Sequence, residues 1–255
     1  NRRKSWRKIR IILLLLIIWS YALISGLSPS VQRAATMFSF IIAGQSLESK
    51  ISIYNSLAAA AFVLLVFDPY LIRAVGFQLS FLAVTGIVIL YPLIYRSWIP
   101  RHRLTDKIWS LTVVSVSATV ATFPLSIYYF HQFPLLFPIT NLVAIPASAL
   151  IIYSGMILFA THFIPVIGSL AGAFLWLVTR VLQLSVAFIE DLSFSTIQDL
   201  YYDEFQVVLI FMLLSGLTAL IHSFHVRKLI FALFAACLLT GYTSSKRIDN
   251  LMRRE

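Results

Sequence analysis

Apolar residues run along the chain in long blocks, separated by short polar or proline-bearing breaks, and the block lengths decide the class of fold. A helix rises 1.5 Å per residue, so about twenty apolar residues cross a hydrocarbon core of about 30 Å. Residues 9–27 form the first such block, directly after a basic stretch, and predict a retained spanning helix rather than a cleaved signal peptide. Residues 28–45 hold enough apolar positions for a short span or an interfacial helix, with Arg33 near its start. Cleaner spans are predicted over 51–67, ended by Asp68 and Pro69, and over 71–95. Further spans fall at 108–123, 141–163, 169–189 and 205–221, with a tight turn at 164–168, and a block of marginal length lies at 229–242. The pattern predicts an all-α polytopic membrane protein, with about seven or eight transmembrane helices plus interfacial or re-entrant broken helices.

One region departs from this rhythm. Pro124, Pro134, Pro138 and Pro146 interrupt a largely apolar stretch that also holds Asn141. Proline removes a backbone donor and clashes with the preceding turn, and in lipid the freed groups need protein or water as partners. The stretch therefore reads either as a re-entrant or discontinuous helix beside a cavity, as in many transporters, or as an external loop.

Composition agrees with the pattern: 60% of residues are hydrophobic and 12% charged, too few charges to cover the surface of a soluble protein this size. The charges are also placed unevenly. Arg2, Arg3, Lys4, Arg7, Lys8 and Arg10 fill the amino-terminal flank, and Arg96, Arg101, Arg103 and Lys107 surround one loop, 96–107. Five of the ten acids, Glu190, Asp191, Asp199, Asp203 and Glu204, lie in one short segment. The positive-inside bias then puts residues 1–10 and 96–107 in the cytoplasm and 190–204 outside, with the basic turn 222–228 inside. That bias accounts for much of the net charge of +10, which is weak evidence of an anionic ligand when taken alone. The basic tail 246–255 conflicts with it if 229–242 crosses. The single cysteine, Cys237, allows no internal disulfide and no thiolate metal cluster. His222 and His225 sit in a basic turn and are assigned no metal, and no cofactor is expected. The absence of a Gly-x-x-x-x-Gly-Lys loop leaves the energy source outside this segment.

Several ordered short stretches stand out: Ser28-Pro-Ser-Val-Gln-Arg-Ala, Asn55-Ser-Leu-Ala with Asp68-Pro69, and Gly76-Phe-Gln-Leu-Ser-Phe-Leu-Ala. Phe123-Pro-Leu, His131-Gln-Phe and Asn141-Leu-Val-Ala-Ile-Pro follow in order. Together they resemble the competence domain of the ComEC family of DNA-uptake proteins. The resemblance implies an inner-membrane channel that conducts single-stranded DNA into the cytoplasm during natural transformation. It also implies an external DNA receptor, a cytoplasmic motor or strand-binding protein, and flanking OB-like and metallo-β-lactamase-like domains in a longer chain. The start at Asn1 rather than Met fits such a fragment, with 1–255 as its transmembrane channel domain and 246–255 leading toward a downstream domain. Catalysis is not expected of this segment, because its spans hold no triad or carboxylate pair.

A path for a polyanion needs polar or cationic groups facing water within the bilayer, and each candidate also has a structural reading. Arg33, Arg73 and Arg180, with Gln183 one turn beyond Arg180, are cations away from the cytoplasmic flanks. Intramembrane charge faces a cavity or a partner, such as Asp68 for Arg73, or snorkels to the interface. Gly76 and Ser80 form a small-xxx-small pair suited to close helix packing, whereas Gln78 is balanced between packing and substrate. Thr112, Ser115, Thr119 and Thr122 share one helical face, as a wet lumen or, the favoured reading, as packing hydroxyls. Tyr128, Tyr129, Phe130, His131 and Phe133 could stack on bases, although an interfacial aromatic belt is the stronger reading. Gly76, Ser80, Pro124, Pro134, Pro138, Asn141 and Pro146 are candidates for shaping helices. Rival functions are a secondary transporter of a small anionic solute and a membrane scaffold for soluble domains.

Overall fold

The computed structural model describes residues 2–46, 52–161, 163–192, 194–222 and 225–252; Asn1 and residues 253–255 of the basic tail, named above, lie outside them. The chain divides into two compact units, Asn1–Val88 and Ile89–Glu255.

The first unit begins with helix α1 (Arg2–Ile24), α2 (Pro29–Ser46) and α3 (Ile53–Phe67). α1 ends in a Schellman arrangement: the amide of Leu27 reaches Ala22 O at 2.9 Å and that of Gly26 reaches Leu23 O at 3.0 Å. Gly26 holds the left-handed position at φ +74°, which glycine adopts without a Cβ penalty. The reversal packs α2 against α1, and α3 packs in turn on α2. Ser52 caps the start of α3, its Oγ accepting from the Tyr54 amide at 3.3 Å.

The expected helix 71–95 is divided. A 3₁₀ turn (Pro69–Arg73) precedes α4 (Val75–Tyr95). Asp68 explains the break, because its amide closes α3 on Leu64 O while its carboxylate accepts from the Tyr70 amide at 3.0 Å. α4 therefore starts afresh after Ala74.

The second unit holds the end of α4 with α5 (Arg103–Phe130), α6 (Phe137–Thr161), α7 (Pro165–Glu190), α8 (Glu204–His222) and α9 (Val226–Met252). A two-residue strand β1 (Phe133–Pro134) pairs antiparallel with β2 (Thr196–Ile197). α5 packs on both α6 and α8, α6 on α7, and α8 on α9. Among the described residues Val113, Ser117, Pro124 and Ile127 are the largest fully buried side chains, and they lie on one face of α5.

Several expected boundaries move. α5 extends beyond the predicted 108–123 at both ends, so Arg103 and Lys107 lie in its first turns and the basic loop shortens. Pro124 and Pro146 sit inside α5 and α6 and break neither. Each costs one backbone bond locally, which a packed helix tolerates. The interruption falls instead between Phe130 and Phe137, where Pro134 occupies a strand and Pro138 the first turn of α6. The turn 164–168 is shorter than predicted, because α7 begins at Pro165. The marginal block 229–242 is the middle of α9, whose 27 residues suffice for a crossing.

Among the described residues six helices are long and apolar enough to span a membrane, and two shorter apolar helices, Ile9–Ile24 and Ile53–Phe67, accompany them. The spanning helices expose many large apolar side chains, as lipid-facing surfaces do: Phe159 is 81% exposed and Leu170 66%. This is a multi-pass, all-α membrane protein.

Candidate functional site

In the first unit Ser28 carries the chain from the Schellman turn into α2, its carbonyl accepting the amides of Val31 and Gln32 at 3.0 Å each. Arg33 follows in the second turn. It is only 6% exposed, and its Nε and Nη1 are buried with no hydrogen-bond partner among the described residues. Gly76, in the first turn of α4, lies beside it: a Cβ placed on Gly76 would come 3.7 Å from Arg33 Nη1. The amides of Phe77 and Gln78 bond back to Ala74 O at 2.9 and 3.1 Å. Those of Val75 and Gly76, one step earlier, have no acceptor within the helix. A buried guanidinium thus faces the electropositive end of a helix, an arrangement that carries excess positive charge. A buried charge without a partner is costly, and here the neighbouring dipole adds to the cost.

Other residues of this unit are better satisfied. Gln78 turns its Nε2 back to Ile72 O at 2.8 Å, joining the 3₁₀ turn to α4. Arg73 is exposed, and the Asp68 carboxylate proposed as its partner is engaged by the Tyr70 amide. Ser80 is half-buried on α4, and at Gly76 the near atom belongs to Arg33 rather than to a neighbouring helix backbone. Ser56 on α3 is also buried, and its Oγ has no hydrogen-bond partner among the described residues.

The second unit resolves most of its polar candidates internally. Thr112 donates to Ile108 O at 2.9 Å, Thr119 to Ser115 O at 2.8 Å and Thr122 to Ala118 O at 2.9 Å, each within α5. Ser115 differs: it is buried, and its Oγ accepts from Asn141 Nδ2 of α6 at 2.8 Å. Asn141 therefore joins two helices. Arg180 and Gln183 are exposed on α7, which packs chiefly on α6.

The aromatic cluster gathers where α5 meets α8. Tyr128 donates to Glu204 Oε1 at 3.0 Å and stands at the rim of an open depression of about 680 Å³, which is also lined by Tyr202, Asp203, Glu204, Phe205 and Val208. The Tyr129 ring meets that of Tyr128 edge-on, and the His131 ring lies 4.7 Å from that of Tyr201. His131 ends α5 in the left-handed region at φ 55°. Its carbonyl accepts from the Leu200 amide, and Leu135 donates to Ser195 O, so the interruption is stapled to the acidic segment. Asp203 and Glu204 make this depression unfavourable for phosphate. At the other end of α5 the α4–α5 connection is clamped by Tyr95 donating to Asp106, Tyr91 bonding Ser110 at 3.1 Å and Trp98 packing edge-on against Trp109.

The family described as Competence protein matches residues 1–243. The chain belongs to that family. A competence-family relative, ComE operon protein 3 of Bacillus subtilis (strain 168), is 33% identical over 146 residues, which cover 57% of this chain and 18% of the relative. The chain therefore spans less than a fifth of the relative's length in that match. These findings bear out the resemblance to ComEC-type competence proteins drawn from the motifs. No solved structure matches.

Two features of this competence-family chain escaped the sequence. Gly216 on α8 lies against Ala232 on α9, so closely that a Cβ would come 3.1 Å from Ala232 Cβ. The Ala232-x-x-x-Ala236 pair on α9 could have signalled a helix seam. Tyr201 and Tyr202 join the aromatic cluster through long-range contacts such as the Leu200 amide on the His131 carbonyl, and no local signal marks that.

Proposed function

We propose that this domain is a conduit in the bacterial inner membrane that carries single-stranded DNA into the cytoplasm during natural transformation. The observation that carries the reading is Arg33: a competence-family membrane bundle encloses a cation, two of whose nitrogens have no hydrogen-bond partner among the described residues. Buried charge in membrane proteins marks ligand or ion pathways unless it is paired. The amino-terminal flank and the 96–107 region face the cytoplasm in this reading, and the acidic segment faces outward. The domain moves its substrate without chemistry of its own. An external receptor delivers the strand, a cytoplasmic motor or strand-binding protein draws it in, and OB-like and metallo-β-lactamase-like domains flank this segment in the full-length protein.

Nuclease-protected, labelled single strands inside cells test the conduit directly. Cells lacking this domain should bind DNA at their surface yet accumulate no internal strands, and restoring the domain should restore accumulation. Undiminished internalisation without it removes the reading. For orientation, Ser97→Cys in a Cys237→Ser background should react with an impermeant thiol reagent only after the cytoplasmic side is opened. Labelling of intact cells at that position overturns the topology.

A further inference from the structure

We infer that Arg33 and the first-turn amides of α4 form a binding site for one phosphodiester oxyanion of a DNA strand. The inference deepens the conduit reading and takes the identity of its ligand from it.

Three observations converge on one spot. Arg33 is 6% exposed, and its Nε and Nη1 lack any partner among the described residues. Val75 and Gly76 open α4, where the first amides have no acceptor within the helix. Gly76 brings the two groups together, being the residue whose missing Cβ would stand 3.7 Å from Nη1. A guanidinium and a helix amino terminus are both anion-seeking, and neither can neutralise the other. An oxyanion seated between them accepts from both and supplies the charge that both lack.

The glycine fits this purpose. A phosphate oxygen must approach a guanidinium nitrogen to about 2.7–2.9 Å. A methyl group at 3.7 Å would occupy that approach while clashing with nothing else. Gly76 is itself exposed, so the site opens at the helix surface there. The carboxylate nearest in sequence to α4, that of Asp68, already caps the 3₁₀ turn.

Chain direction sets the depth. α2 starts where α1 ends, and the path through α3 and the 3₁₀ turn returns the start of α4 to the same end. With the amino-terminal flank cytoplasmic, that end is external, so the oxyanion site meets a strand as it enters. A phospholipid headgroup carries the same phosphodiester. Its paired acyl chains, however, would have to lie beside a guanidinium that protein covers on nearly every side. A single strand presents its phosphates on a narrow backbone.

The test uses the purified full chain in phosphatidylcholine nanodiscs, with labelled oligothymidine and its uncharged methylphosphonate analogue as probes. Arg33→Met should weaken oligothymidine binding by about tenfold or more and lower the slope of log K against log salt by about 0.7, the loss of one phosphate contact. Arg33→Lys should fall between the two, because it keeps the charge and loses the fork. Gly76→Ala should weaken binding while leaving the melting temperature equal or higher, since its Cβ meets only ordinary contact distance. The methylphosphonate analogue should bind poorly and be indifferent to Arg33.

Ligand-free Arg33→Met should melt no lower than the unaltered protein, because an uncompensated buried charge has been removed. A lower melting temperature would assign Arg33 to the fold and overturn the site. Unchanged oligothymidine affinity and salt slope in Arg33→Met would overturn it as well. So would native mass spectrometry in which the unaltered chain retains phospholipid and Arg33→Met does not, which gives the site to lipid. Normal strand internalisation with Arg33-independent binding defeats the site alone, whereas Arg33-dependent binding without internalisation leaves the site standing and defeats the conduit.

Discussion

Asn141 and Arg33 both place nitrogen donors inside helix packing, one in each unit, and the chain treats them in opposite ways. Asn141 Nδ2 donates to Ser115 Oγ at 2.8 Å and fastens α6 to α5. Arg33 is more deeply enclosed and carries a full charge, yet Nε and Nη1 find no acceptor among the described residues. Around Asn141 the hydroxyls of Thr112, Thr119 and Thr122 are likewise closed on their own helix. At α8 and α9 a glycine closes a seam against Ala232, whereas at α4 a glycine leaves space beside a cation. Satisfied polar groups in a bilayer hold helices together. An enclosed cation without an acceptor costs stability and calls for an explanation outside the fold, which a bound anion supplies.

The sharpest break in this comparison is Arg33→Glu. A carboxylate about 4 Å from a passing phosphate repels it by about 4 kcal/mol at an effective dielectric of 20, so transformation frequency should fall on the order of a thousandfold. Membrane abundance of the variant should stay normal. Normal transformation at normal abundance would take Arg33 out of the path.

Gly216→Leu probes the closed side of the contrast. Ala232 Cα already lies 3.2 Å from a Cβ at that position, so a larger side chain must push α9 away. The expected loss is about 1–3 kcal/mol, read as a lower melting temperature in detergent. An unchanged melting temperature would show that the α8–α9 seam is looser than the geometry indicates.

Asn141→Leu removes the bridge to Ser115 and should cost about 0.6 kcal/mol, and at most about 1.7, in line with interhelical hydrogen bonds in membranes. Pairing it with Ser115→Ala in a double-mutant cycle isolates the bond itself. A coupling near zero would make Asn141 no more structural than its neighbours. Smallest of all is Thr119→Val. Its hydroxyl serves only its own helix, so both stability and transformation should change little, by under about 0.5 kcal/mol for stability. A large fall in transformation with stability intact would return this α5 face to the substrate path.

Much of the architecture was legible because apolar runs of membrane length have few alternatives. Eight predicted blocks, from 9–27 to 205–221, each correspond to an observed helix, and α2 matches 28–45 almost end to end. The proline-rich stretch is less legible. Four prolines in an apolar context look equivalent in sequence, yet Pro124 is enclosed within α5 and Pro134 sits in a strand. What distinguishes them is the packing around each: α6 and α8 flank α5, whereas Pro134 pairs with Thr196. The break at Ala74 has no local signal, because it depends on where the Asp68 carboxylate points.

By itself the sequence determined the helices, the membrane class, the placement of charge and the family, because each follows from local composition, run length or ordered short motifs. Only the tertiary structure decided which polar groups have partners. Asn141 is separated from Ser115 by 26 residues and Tyr128 from Glu204 by 76, so their hydrogen bonds exist only once the helices pack. The same holds for a missing partner. That Arg33 is enclosed beside Gly76 and the amino end of α4, with Nε and Nη1 left without an acceptor among the described residues, depends on how α2 and α4 come together in space, and no window of sequence carries that information.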